Sequence, residues 1–269
     1  EYLRQRGFEI AIVAPTPGGW VEPEAIAAAC RNDTLMVSVM QVNNETGVIQ
    51  PIPEICDQLA KHEAYFHVDA AQGFGKDIEP LTNKRIDFIS ISAHKIYGPK
   101  GVGALIARRR GFNRAPLQPL AYGGGQERGL RPGTLPVPLI AGLGEAARLA
   151  LAEHALRRKA CLAIRQKVLA AVGPLAALIN GDPGRTMPHV LNLSIPGVDS
   201  EAVMVALKGL IAISNGSACT SATYKPSHVL QAMGFPPDRI QQALRISWCH
   251  MTPEVDWAAV TLAIQSMQI

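Results

Sequence analysis

The sequence has no CxxC pair, no run of ~18 apolar residues and no charged-then-apolar leader, and each absence removes a class of protein. A helical membrane span and a visible secretory signal are excluded together. The five cysteines (Cys30, Cys56, Cys161, Cys219, Cys249) are odd in number and widely spread, which argues against a disulfide framework or zinc site. A reducing, cytoplasmic setting is the expectation. Charge is sparse too: charged residues make up 18%, the net charge is +4 and the pI is near 8.9. Lysine and arginine are scattered, and the single run, Arg108-Arg109-Arg110, reads as a solvated strand cap, so direct nucleic-acid binding is not indicated.

What remains is an ordinary globular composition, 48% hydrophobic over 269 residues, enough for one large domain or two smaller ones. The chain opens on Glu1, and Glu1 to Gly7 reads as the last turn of a helix stopped by glycine. A longer natural chain, with more sheet upstream, is therefore expected.

Short apolar runs alternate with amphipathic stretches, the pattern of an α/β protein with a mostly parallel sheet. Strands are expected at Phe8–Ala14, Thr34–Met40, Tyr65–Ala70, Ile86–Ser92 and Val102–Ala107, with helices at Glu22–Arg31 and Pro53–Glu63. An alanine- and leucine-rich stretch from Pro136 to Val172 predicts a long helix or a bent pair. Beyond it the rhythm changes, with strands expected at Val190–Ile195, Ile211–Ser214 and Ala243–Trp248, and helices at Ser200–Leu207, Ser227–Met233 and Pro253–Met267. The expected division is a large domain over residues 1–151, partial at its amino end, and a smaller α/β domain over 152–269.

Several segments carry side chains suited to chemistry. Tyr65-Phe66-His67-Val68-Asp69-Ala70-Ala71-Gln72 is an apolar strand ending in an acid, at the strand end where open parallel sheets bind ligands. Asp69 could equally cap the next helix. The next strand runs into Ser92-Ala93-His94-Lys95, and a lysine just past a buried strand can lose its proton and form a Schiff base, although one such lysine can also be merely solvated. Together the two supply what pyridoxal phosphate needs, a carboxylate for its pyridine nitrogen and a lysine for its aldehyde. Val42-Asn43-Asn44-Glu45-Thr46-Gly47 is a turn on any reading, and one of its amides could face the cofactor. Ser214-Asn215-Gly216-Ser217-Ala218-Cys219-Thr220-Ser221 sets one cysteine in a polar loop of small residues, where exposure and mobility suit a nucleophile. Cys30, Cys56 and Cys161 read as small buried hydrophobes and Cys249 as structural. Arg245 is a charge within an apolar strand; its fork suits a carboxylate, of a ligand or of the protein itself.

SAHKIYGPKG around Lys95, HVDAAQ around Asp69, the loop GGGQERGLRPGT and SNGSACTS around Cys219 occur in the order and spacing of a known family. By these motifs the chain resembles the cysteine desulfurases of the NifS/IscS type, pyridoxal-phosphate enzymes with the fold-type I, aspartate-aminotransferase-like fold. The resemblance implies conversion of L-cysteine to L-alanine, with the sulfur passed to Cys219 as a persulfide. Lys95 would hold the cofactor and move the substrate Cα proton, Asp69 would pair with the pyridine nitrogen and Gln72 with the ring hydroxyl. Ser92 and His94 would serve the phosphate or acid–base work. Thr134 would reach the phosphate of a partner subunit, implying a homodimer, and Asn44 and Arg245 would clamp the substrate carboxylate. A sulfur-acceptor or scaffold protein is implied as partner, with iron–sulfur assembly, thiolation and DNA phosphorothioation as destinations. The family's phosphate-binding glycine turn and ring-stacking histidine have no counterpart in this sequence. Another class V aminotransferase-like lyase has no use for the Cys219 thiol; a non-catalytic sulfur-transfer scaffold has no use for Lys95 and Asp69.

Overall fold

The computed structural model describes residues 2–216 and 226–268. Helix α1 (Tyr2–Gln5) ends at Gly7, whose φ of 86° makes the expected glycine stop, and α2 (Pro23–Ala29) starts on the proline whose missing N–H costs nothing there. Strand β1 (Met36–Met40) follows, then a turn, then α3 (Ile52–Gln58) and β2 (Tyr65–Asp69). Strand β3 (Phe88–Ser92) runs into a single 3-10 turn, Ala93–Ile96, before β4 (Gly103–Ala107). The long alanine-rich stretch forms two helices, α4 (Val137–Ala152) and α5 (His154–Val172), parted at Glu153. Then come β5 (Leu178–Ile179), β6 (Val190–Ser194), α6 (Ser200–Ala206), α7 (His228–Ala232), α8 (Pro237–Gln241), β7 (Ala243–Ser247) and α9 (Trp257–Gln265).

Two expected strands differ. Residues 8–14 form no ladder, and Ile10 and Ile12 stand exposed: β-branched residues make a strand only where a neighbour takes their N–H and C=O groups. Residues 211–214 make only an isolated bridge, Ser214 to Arg245. Helix α9 starts four residues later than the expected Pro253, because Asp256 caps it by accepting from Ala259 N at 3.0 Å.

The chain forms two compact units, one of Arg31–Gln41 and Ile52–His154, the other of Glu1–Cys30, Val42–Pro51 and Ala155–Ile269. This differs from a single cut between residues 151 and 152 mainly in residues 1–30 and 42–51, which belong with the carboxyl-terminal unit. The reason is hydrogen bonding: Ile49 N donates to Arg185 O at 2.7 Å, Met187 N to Gly47 O at 2.9 Å, and Val48 bridges Thr186.

The first unit carries a sheet in the order β1-β2-β3-β4, parallel through β3 and antiparallel at β4. Phe66, Val68, Ile89 and Ile91 are buried along one face, and the alternation puts His67, Asp69, Ser90 and Ser92 on the other. At the ends of β2 and β3 opposite to Asp69 and Ser92 lies an ion cluster around buried Asp87. Its Oδ1 accepts from Arg110 Nε at 2.7 Å, and its Oδ2 from Phe66 N at 2.7 Å, Arg110 Nη2 at 2.8 Å and Arg85 Nη1 at 2.9 Å. The arginine run is thus partly committed, with Arg110 on Asp87 and Arg108 on the carbonyls of Leu81 and Asn83.

The second unit is built on the antiparallel sheet β5-β6-β7. Leu191, Leu193, Leu244 and Ile246 face a core completed by Val168, Val203, Trp248, Val260 and Ile264. Each such side chain contributes about 1.5–3 kcal/mol of burial. The opposite face of the sheet is polar, with Asn192 paired across to Arg245. The turn 42–51 packs on it.

Candidate active site

Asp69 ends β2, and Ser92 ends the neighbouring β3. Adjacent strands lie ~4.8 Å apart, so these two ends emerge side by side. Asp69 is paired across with Ser90, is exposed, and its Oδ1 accepts from Ala71 N at 3.0 Å. That bond begins the turn holding half-buried Gln72. The bond shapes a turn rather than capping a helix, since residues 71–76 are turns.

Lys95 lies in the 3-10 turn directly after Ser92, half-buried, with His94 exposed beside it. Ala93 and Ile96 are buried and pin the turn, and Ile96 packs with Ala146 and Ala150 of α4. The turn closes by Gly98 N donating to Ala93 O at 2.9 Å. A β-carbon at Gly98 would stand 3.0 Å from that carbonyl and 3.1 Å from Ala146 Cβ, so glycine is what lets α4 back the lysine turn. Thr134 is exposed in the loop between β4 and α4, where Gly133 N donates to Gln126 Oε1 at 3.1 Å.

One residue on this face was not singled out in the sequence. His67 bridges its neighbours, Nδ1 to Ser38 Oγ at 2.8 Å and Nε2 to Ser90 Oγ at 3.2 Å, tying β1, β2 and β3 together one pleat below Asp69. Burial pulls its pKa down, with the Asp69 charge opposing. The signal was available: two-residue spacing puts His67 and Asp69 on one face.

In the other unit, Arg245 projects from the polar face of β7, which resolves its odd place between Leu244 and Ile246. Its Nη1 donates to the Asn44 carbonyl at 3.0 Å. The turn bearing Asn44 is shaped by Asn43, whose Oδ1 accepts from Glu45 N at 2.8 Å and Thr46 N at 2.9 Å. Gly47 has φ of 75° with Val190 Cγ1 only 2.1 Å from where a β-carbon would sit, so no other residue fits there. Asn44 itself is half-buried, and its backbone meets Arg245. Cys219 lies outside the described residues. Cys56 and Cys161 are buried as expected, and burial pushes the Cys56 thiol up to about 12, which makes it inert.

The donor set at the ends of β2 and β3 fits pyridoxal phosphate: an exposed carboxylate, an amide, a hydroxyl, an imidazole and an amine, all at or just past neighbouring strand ends. Among the described residues no group of His, Cys, Asp or Glu is arranged to hold a metal ion, and no helix is long and apolar enough to cross a membrane.

Residues 1–259 match the family model Aminotransferase class-V. A "Cysteine desulfurase IscS" of Vibrio vulnificus is 42% identical over 271 residues, covering 99% of this chain and 66% of the relative. The crystal structure of DndA from Streptomyces lividans superposes with a TM-score of 0.82 at 49% identity, covering 92% of this chain and 70% of that one. A structure titled "SspA in complex with cysteine" does so with a TM-score of 0.77 at 33% identity, covering 91% and 68%. The chain spans 63–66% of the length of the curated Vibrio relatives it matches.

Proposed function

Because this chain belongs to the class-V aminotransferase family, we propose that it forms the larger part of a cysteine desulfurase, moving the sulfur of L-cysteine onto Cys219 and releasing L-alanine. The observation that carries the reading is the adjacency of β2 and β3, which brings Asp69 and Lys95 out at neighbouring strand ends. Relatives bearing the desulfurase name, and one solved with cysteine, support the substrate.

Pyridoxal phosphate, when bound, supplies an electron sink that makes the substrate Cα–H acidic. Asp69 would pair with the pyridine nitrogen, and Gln72 with the ring hydroxyl. Lys95 would hold the cofactor through its amine and would move the substrate Cα proton. His94 takes part in acid–base work beside it and Ser92 binds phosphate. Thr134 serves the phosphate of a second subunit, so the working unit is a homodimer. Arg245, steadied by the Asn44 carbonyl, takes the substrate carboxylate together with the Asn44 side chain.

The Cys219 thiolate attacks the substrate sulfur. The substrate C–S bond breaks, its electron pair returns to the carbon skeleton that leaves as alanine, and Cys219 keeps the sulfur as a persulfide. A thiol of an acceptor or scaffold protein then takes it. Such chemistry suits a reducing compartment such as the cytoplasm.

The test is mass spectrometry of the peptide bearing Cys219 after incubation with L-cysteine, in wild type and Cys219→Ala. One added sulfur in wild type, with the mutant still binding cofactor and cysteine, is the expected result. Sulfide release at the wild-type rate by Cys219→Ala, without added thiol, would favour a class-V lyase that does not use the thiol.

A further inference from the structure

Glu45 has only 1% of its surface exposed, and the chemistry above makes no use of it. Carboxylates are rarely this buried without a specific partner. Its Oε2 accepts from Ser227 Oγ at 2.5 Å, the length of a charge-assisted O–H···O⁻ bond. Ser227 also starts α7, its Oγ accepting from Leu230 N at 3.2 Å. A β-carbon on Gly216 would lie 3.9 Å from the same Oε2. Gly216 and Ser227 stand on the two sides of the stretch that carries Cys219.

The amino-side stem is tied in as well. Ser214 exchanges backbone bonds with Arg245, donating at 3.1 Å and accepting at 2.6 Å. Its Oγ donates to Gly216 O at 2.8 Å. Arg245 in turn reaches the Asn44 carbonyl, one residue from Glu45, and the Glu45 carbonyl accepts from Asn192 Nδ2 at 3.2 Å. The contacts close a circuit: from the turn through Arg245 to one stem, and through the Glu45 carboxylate to the other.

We infer that Glu45 is a positioning residue, whose buried carboxylate anchors the stems of the Cys219 stretch to the same turn that steadies Arg245. This rests on the reading of Cys219 as the sulfur acceptor. It assigns Glu45 no contact with substrate or cofactor.

The test compares Glu45→Ala, Glu45→Gln and Ser227→Ala in the full chain. Chymotrypsin cleavage after Tyr224 reports the stems directly, without any turnover. Losing a charge-assisted hydrogen bond should accelerate that cleavage about ten- to a hundredfold in Glu45→Ala and Ser227→Ala. Persulfide formation should lose kcat by a comparable factor, with KM for cysteine and cofactor absorbance little changed. Glu45→Gln, which still accepts from Ser227 but without the charge, should recover a large part of both. Wild-type cleavage and kcat in Glu45→Ala, or equal damage from Gln and Ala, would overturn the inference. Should Glu45→Ala fail to fold, Ser227→Ala breaks the same bond from the other side. If wild type itself forms no persulfide on Cys219, the proposed function falls, while the cleavage rates still decide the anchoring.

Discussion

Asp87 offers a perturbation whose size follows from its contacts. It is 4% exposed, accepts from both Arg110 and Arg85, and takes the backbone N–H of Phe66 in addition. Its own N–H donates to Phe66 O at 2.9 Å, so one residue locks β3 to β2 by side chain and main chain. Asp87→Ala would leave Arg85, whose side chain is 14% exposed, without its carboxylate. Breaking a buried pair costs about 3–5 kcal/mol, a large share of the ~5–15 kcal/mol that holds a typical protein folded. At roughly 2–4 °C per kcal/mol for a chain of this size, the thermal midpoint should fall by about 6–20 °C. Circular dichroism melts of wild type and mutant measure this directly. Burial pushes the Asp87 carboxyl up, but the hydrogen bonds from Arg110 and Phe66 N and the two arginine charges outweigh it and hold it below its usual value. The sign follows: the stabilisation is complete above the ordinary aspartate value of ~3.9 and is lost only as pH falls through the lower folded value. A fall in midpoint of less than about 2 °C would show that the cluster is solvated decoration and refute the argument.

Three further outcomes are expected. Arg245→Ala should raise KM for cysteine about ten- to a hundredfold while sparing cofactor binding, as steady-state kinetics will show; failure to fold would instead mark Arg245 as structural. Borohydride reduction and peptide mapping should place the pyridoxyl group on Lys95, and finding it on Lys100 would sink the assignment. His67, held neutral by burial, is protonated more readily when unfolded, so stability should fall as pH drops below ~6.5 towards its lower folded value. Urea midpoints across pH 5–8 should lose that slope in His67→Gln, and an unchanged slope would exclude His67 as its source.

The strand ends were legible because period-two burial is written plainly in Tyr65–Asp69 and Phe88–Ser92, and because the residues after them are chemically distinctive. Arg245 could be picked out but not understood. Only pairing with Asn192 shows that it faces the polar side, and Asn192 is 53 positions away in sequence. Glu45 was passed over for a similar reason. As a residue in a turn it signals nothing, and its meaning comes from Ser227 and Asn192, which local periodicity cannot reach. The expected strand over residues 8–14 shows the converse limit, since propensity names residues able to pair but not the partner.

The turn after β1 also sets an order of events. Its partners are distant along the chain: Asn192 is 147 residues from Glu45, Ser227 is 182, and Arg245 is 201 from Asn44. At ~5–20 residues per second of synthesis, Ser227 is made about 10–40 s after Glu45. Throughout that interval β1 and β2 can already pair locally, while the acidic turn between β1 and α3 waits with its carboxylate hydrated. Loops of this span are closed late and slowly. The residues that steady Arg245 are therefore among the last to be desolvated, and a ribosome pause in that window would lengthen the life of a half-folded chain whose strand ends are already in place.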